Sequence, residues 1–90
     1  MAEPLTDVER VLKLSDRVRL LVAISDEIPV ETKLNVQGLL KIFEGTVAAA
    51  ESAADEVRAA GYYQALYQDL EPYADIEALL SAMRVFAPFL

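Results

Sequence analysis

The sequence contains no cysteine, no histidine and no tryptophan, and only eight of its 90 residues are basic. Without cysteine the chain can form neither a disulfide nor a thiolate nucleophile. Without histidine it lacks the usual acid–base group at neutral pH, the Ser-His-Asp triad and the Glu-x-x-His motif of di-iron bundles. A zinc site is disfavoured because both of its preferred ligand types are missing. These absences predict a protein that is not an enzyme and that binds no cofactor or metal.

The charge balance is acidic, with 15 acidic residues, a net charge of −7 and a pI near 4.4. Such a field opposes binding to nucleic acid and to anionic membranes. The acidic start, MAEPLTDVER, lacks the basic-then-apolar order of a secretory signal. The apolar run at residues 20–24 is far shorter than the roughly 20 residues that span a bilayer. We therefore expect a cytoplasmic protein with no nucleic-acid or membrane partner.

The first helix is indicated by its start signal and by its apolar spacing. Thr6 and Glu9 form a capping-box pattern, and Pro29 disfavours helix at the residue before it. Between them the apolar residues recur at three and four positions: Val11, Leu14, Val18, Leu21 and Ile28. This predicts a helix from Thr6 to about Glu27.

The second segment keeps its apolar rhythm from Val36 to Gly61 with no change of phase. It therefore predicts one continuous helix, with a break at Gly45 followed by a Thr46 cap as the alternative. After Gly61 the spacing indicates two shorter helices separated by Pro72. The predicted fold is a single all-α domain over residues 1–90. It is a small bundle of two long helices followed by two short ones, which we expect dimerisation to complete.

Small residues recur every seven positions along the predicted second helix, at Gly38, Gly45, Ser52 and Ala59. Each glycine in a helix interior lowers the stability of the helix by about 1 kcal/mol relative to alanine. Two such glycines therefore indicate a compensating role. A strip with almost no side chains lets another helix approach closely. The strip therefore predicts a two-fold homodimer, or a higher homo-oligomer, through an antiparallel copy of this helix.

Aromatic and apolar residues near the end provide further candidate interface residues. Tyr63 and Tyr67 either cover the open end of the bundle or face a partner or ligand. Phe86, Phe89 and Leu90 either pack against the bundle or contact another chain. The sequence leaves both choices open.

Two groups of charged residues are weaker candidates for a site. Glu51 and Asp55 have the spacing of a carboxylate pair for Mg²⁺, but they lie on a polar stripe and are better explained as solvated surface. Arg10, Lys13 and Arg17 share one side of the first helix, where they form either a solvated face or a dock for an acidic partner.

The function that the sequence indicates is a non-enzymatic, self-associating module for protein–protein interaction. It would serve as a small subunit or adaptor of a larger assembly. The alternative is a small bundle that binds an apolar ligand in its core or in the groove of its dimer.

Overall fold

A computed structural model describes residues 5–90, which form four α-helices joined by short turns. The helices are α1 (Asp7–Ile24), α2 (Val30–Ala49), α3 (Ala53–Leu70) and α4 (Ala74–Phe86). No strand occurs in this part of the chain, which confirms the predicted all-α fold. Residues 1–4 lie outside the described residues. They belong to the predicted domain and to the acidic start of the chain that was compared with a secretory signal.

The helices form two packed pairs. α2 packs along α3 and α1 packs along α4, while α1–α2 and α3–α4 packing joins the pairs. Within residues 5–90 the diagonal pairs, α1 with α3 and α2 with α4, do not pack against each other. The smallest extent of the molecule is 17 Å, about the thickness of two helices in contact. Each helix therefore keeps one outward face that no other helix of the chain covers.

One apolar core lies between the two pairs, built from residues at three and four spacing on every helix. At its centre the rings of Phe43 on α2 and Tyr63 on α3 lie 6.2 Å apart, a distance typical of favourable aromatic pairs. The other large, fully buried side chains are Val11, Val18, Val22, Val36, Leu40, Leu66, Leu70, Leu80 and Met83.

The start of α1 is as the sequence predicts. The Glu9 amide donates to Thr6 Oγ1 at 3.2 Å, and the Thr6 amide donates to Glu9 Oε1 at 3.4 Å, which completes the capping box. The helix ends at Ile24, earlier than predicted. Ser25 adopts an extended conformation there and its Oγ accepts from the Glu27 amide at 3.2 Å, so a local side-chain bond replaces the last helical turn.

The predicted continuous second helix is wrong, and so is the alternative break at Gly45. α2 runs through Gly45 and ends at Ala49, and α3 begins at Ala53. Ser52 caps α3 by accepting from the Asp55 amide at 3.3 Å, and Asp55 Oδ2 accepts from the Glu51 amide at 3.1 Å. These bonds satisfy backbone donors that a continuous helix would otherwise have paired.

The break replaces one long rod by two helices that pack along each other. A continuous helix of about 28 residues would extend about 42 Å and leave its apolar end uncovered. With the turn at residues 50–52, Val47 and Ala59 are both buried in the same core. The observed helices contain 18, 20, 18 and 13 residues, so the order is three long helices and one shorter one, not two and two.

Candidate interaction surface

The predicted strip of small residues does not exist as one surface. Gly38 and Gly45 are exposed on the outward face of α2, with no heavy atom within 4 Å of where a Cβ would stand. Ser52 lies in the turn as the cap of α3, and Ala59 is fully buried. The prediction of a continuous strip is therefore wrong, while a contact role for the two exposed glycines stays a prediction.

The two candidate tyrosines join α3 to α4. Tyr63 is fully buried, and its hydroxyl donates to the Leu80 carbonyl at 2.5 Å. The Tyr67 hydroxyl donates to Glu77 Oε1 at 2.6 Å, and Ser81 Oγ donates to the same oxygen at 2.7 Å. These hydroxyls already have partners within the chain, so they hold the two helices together.

The pKa values of the titratable groups in this cluster are shifted further away from neutral pH. Burial raises the pKa of the Tyr63 phenol. The hydrogen bond to Glu77 raises the pKa of Tyr67, and the same bond lowers the pKa of the Glu77 carboxyl. The Arg84 guanidinium lies over both rings, 5.0 and 5.3 Å from their centroids. The phenols are protonated and the carboxylate ionised at neutral pH, which suits a structural clamp rather than a proton-transfer site.

The segment after α4 packs against the bundle, which is the first of the two alternatives that the sequence left open. Ala87 and Leu90 are buried, and the Leu90 amide donates to the Ala87 carbonyl at 3.0 Å. Phe86 is half-buried, with the Arg10 guanidinium 5.2 Å from its ring centroid. Phe89 remains 37% exposed.

A cleft of about 180 Å³ lies where Phe86 and Phe89 meet α1 and the end of α2. Its apolar walls also include Val8, Val11 and Val47. Pockets that hold drug-sized ligands measure about 300–1,000 Å³. The cleft is smaller than that range, so it is too small for a ligand of that size.

A buried polar contact fixes α1 against α2. Ser15 is fully buried and its Oγ donates to Glu44 Oε2 at 2.5 Å. The Arg19 guanidinium binds both oxygens of the same carboxylate and also Asp16 at 2.8 Å. The hydrogen bond to Glu44 raises the pKa of Arg19, so the guanidinium stays charged. Because no substrate could reach the Ser15 hydroxyl, this contact is structural.

Four exposed apolar side chains lie on neighbouring ends of α1 and α2, and we call this group the apolar corner. Leu20 and Ile24 near the end of α1 are 59% and 65% exposed, and Val30 and Leu34 at the start of α2 are 70% and 66% exposed. The Lys33 Nζ donates to the Ala23 carbonyl at 3.2 Å, so these ends of α1 and α2 lie side by side. Clustered exposed apolar residues mark interaction sites far more often than scattered ones do.

Sequence reasoning missed the apolar corner. The apolar residues predicted to form the core-facing side of α1 lie on the opposite side of the helix. The apolar run at residues 20–24 was interpreted only as too short to span a membrane. A signal was present, because Leu20 and Ile24 fall on the side of the helix away from Val11 and Val18. Apolar residues on both sides of one helix indicate that both sides are covered.

Charged residues border the apolar corner in a definite order. Lys13 and Arg17 precede Leu20 and Ile24 on the outward face of α1. Within residues 5–90, neither Lys13 nor Arg17 takes part in a salt bridge. Two exposed acidic residues, Asp26 and Glu27, directly follow the helix. Asp16 borders the same surface as Lys13 and Arg17, but it is paired with Arg19 at 2.8 Å. The unpaired charges of the face are therefore basic at one end and acidic at the other, with apolar side chains between them.

In the described part of the chain, no three His, Cys, Asp or Glu side chains come together as a possible metal site. None of the helices at residues 5–90 is long and apolar enough to cross a membrane. Comparisons with protein-family models, with curated proteins and with solved structures found no match.

Proposed function

We propose that this protein is a non-enzymatic helical module that self-associates and serves as a small subunit or adaptor of a larger assembly. The observation that carries the proposal is the apolar corner, where four large aliphatic side chains lie mostly in solvent on neighbouring ends of α1 and α2. A monomer gains nothing from this arrangement, because exposed apolar surface promotes non-specific aggregation. A partner that covers the apolar corner removes this surface from water, and that burial favours binding.

The size of the corner suits a reversible contact. Fully burying an aliphatic side chain stabilises by about 1.5–3 kcal/mol, so the exposed portions of these four amount to about 4–8 kcal/mol in each copy and about 8–16 kcal/mol in a dimer that covers both corners. Association itself costs an estimated 4 kcal/mol or more in lost freedom of motion. A net association free energy of about 5.5–8 kcal/mol fits within the remainder, and it corresponds to an expected dissociation constant of about 1–100 µM.

The use of the polar side chains supports a role without catalysis. The polar pairs that best resemble catalytic groups are Ser15 with Glu44 and Tyr67 with Glu77. In each pair the two side chains are hydrogen-bonded to each other, and the bond joins two helices. A catalytic group must reach its substrate within hydrogen-bond distance. Ser15 is fully buried, so its hydroxyl is out of reach of a substrate, and the Tyr67 hydroxyl is already hydrogen-bonded to Glu77 within the chain.

Analytical ultracentrifugation from about 1 to 200 µM tests the proposal, because it measures mass across the expected dissociation constants. The wild-type chain should shift from its monomer mass of 9.9 kDa to twice that value. Replacing Leu20 or Leu34 by lysine should weaken association. The matched control is Val57→Lys on α3, where the side chain is 72% exposed but lies outside the apolar corner. A wild-type chain that stays monomeric throughout would refute self-association.

A further inference from the structure

We infer that a second copy of this chain covers the apolar corner, with the two α1 helices antiparallel across a two-fold axis beside Leu20. This inference rests on the proposed self-association and adds the surface, the orientation and the residue pairs. An isologous contact of this kind closes on itself and gives a discrete dimer rather than an open chain of copies.

The outward face of α1 has the spacing of a helix–helix contact. Lys13, Arg17, Leu20 and Ile24 follow one another at intervals of four, three and four residues, so they lie along one line on the helix. All four are exposed, and the buried residues Val11, Ser15, Val18 and Val22 occupy the opposite side. The line is therefore available to a mate along most of the helix.

The charges on this face are self-complementary when it meets a copy in the antiparallel orientation. Lys13 lies two helical turns before Leu20 on α1, whereas Asp26 and Glu27 lie in the turn that directly follows the end of the helix at Ile24. A two-fold axis beside Leu20 brings the two Leu20 side chains together and directs Lys13 of each copy towards the turn that carries Asp26 and Glu27 in the other. Arg17 then lies over the apolar end of the mate, close to Asp26.

The local surface at the end of α1 also favours a cation. The last turn of α1 carries no basic residue to offset its negative dipole end. Beside Ile24 there is a hollow of about 590 Å³, and its walls include Asp26, Glu27 and Asp75. The part of α1 in the second copy that carries Lys13 can lie in this hollow.

A second copy fits this face better than an unrelated acidic partner does. An acidic helix would pair with Lys13 and Arg17, but it would place like charge against Asp26 and Glu27 at the other end. Like charges opposed across an interface disfavour association. A second copy in the antiparallel orientation carries the same charges in the reverse order. It therefore places opposite charges together at both ends of the contact.

Charge exchange tests the pairing directly. In Lys13→Glu and in Glu27→Lys, each homodimer would contain two repulsive pairs in place of two attractive ones. We expect each variant alone to have a dissociation constant at least about tenfold above wild type. Mixed in equal amounts, the two variants should form a heterodimer near wild-type affinity, because both pairs become attractive again. Lys13 and Glu27 of one chain are separated by most of the length of α1, so this recovery can arise only between copies.

Lys41→Glu on the exposed side of α2 is the matched control, because it changes the net charge by the same amount as Lys13→Glu. It should dimerise nearly as the wild type does. If the wild type dimerises and both α1 variants do so equally well, this face is not the interface, although the proposed function survives. If both variants are weakened but their mixture stays monomeric, the antiparallel pairing is refuted. A monomeric wild type overturns the proposed function itself, and the inference with it.

Discussion

Replacing the helical glycines by alanine should stabilise the protein, and by a predictable amount. Gly38 and Gly45 are interior to α2 and Gly61 is interior to α3. None has a positive φ, and an added Cβ meets no heavy atom within 4 Å at any of them. Each substitution therefore removes the backbone-entropy cost of glycine without introducing a clash. We expect a gain of about 1 kcal/mol at each site.

The double variant Gly38→Ala/Gly45→Ala should gain about 2 kcal/mol, because the two sites are about 10 Å apart along the helix and share no neighbour. For a domain of this size 1 kcal/mol shifts Tm by about 4–8 °C, so the double variant should melt about 8–16 °C higher. Circular dichroism during thermal and urea unfolding, at a protein concentration that keeps the chain monomeric, gives both quantities.

Gly61→Ala is the matched control for this series because it has the same open surroundings on a different helix. If Gly61→Ala stabilises the protein and the α2 double variant does not, the assignment of Gly38 and Gly45 to an open, solvent-facing surface is refuted.

Two further predictions concern the link between α3 and α4. Tyr63→Phe should cost about 0.5–1.5 kcal/mol in urea unfolding, since it removes the buried bond to the Leu80 carbonyl; an unchanged stability would contradict that role. Glu77 has a pKa lowered in the folded state, so its contribution is present above the unfolded value near 4.3 and is lost as pH falls through the folded pKa. Glu77→Gln should therefore lose less stability than wild type on acidification from neutral pH, and an equal loss in the two proteins would contradict this role of Glu77.

The elements of this fold that were predictable are those specified by local chemistry. The Thr6–Glu9 capping box and the three–four spacing beginning at Val11 determine the start and the inward face of α1 without any tertiary contact. The end of α1 differs from the prediction because Ser25 could either continue the helix or bond to the backbone beyond it. The energies of these alternatives differ by little, so sequence spacing does not decide between them.

The turn between α2 and α3 was missed because it has no glycine or proline. Its signal was Ser52 followed three positions later by Asp55, the same spacing as a helix N-cap. The apolar rhythm continues across the turn, since α2 and α3 both bury residues at three and four spacing in one core. Periodicity therefore indicates helix correctly on both sides of residues 50–52 but does not reveal the reversal between them.

The candidate surface could be predicted only in part, because burial of an interface residue depends on the order of helices in space. Tyr63 and Ala59 have interface-like or small side chains, yet the packing of α3 places both in the core. Leu20 resembles a core residue in the sequence and lies outside. Lys13 and Arg17 are visible in the sequence as a basic patch, but their relation to the apolar corner requires the position of α2 beside α1.

The most direct test of self-association through α1 is disulfide formation in Leu20→Cys. The native chain has no cysteine, so any cross-link reports this position alone. A disulfide requires the two α-carbons to approach within about 7 Å, which a two-fold axis beside residue 20 allows. Under mild oxidation at a concentration above the dissociation constant, Leu20→Cys should convert rapidly to a covalent dimer, and Val57→Cys should remain mostly monomeric. Equal rates for the two variants, or no covalent dimer from Leu20→Cys, would contradict the account.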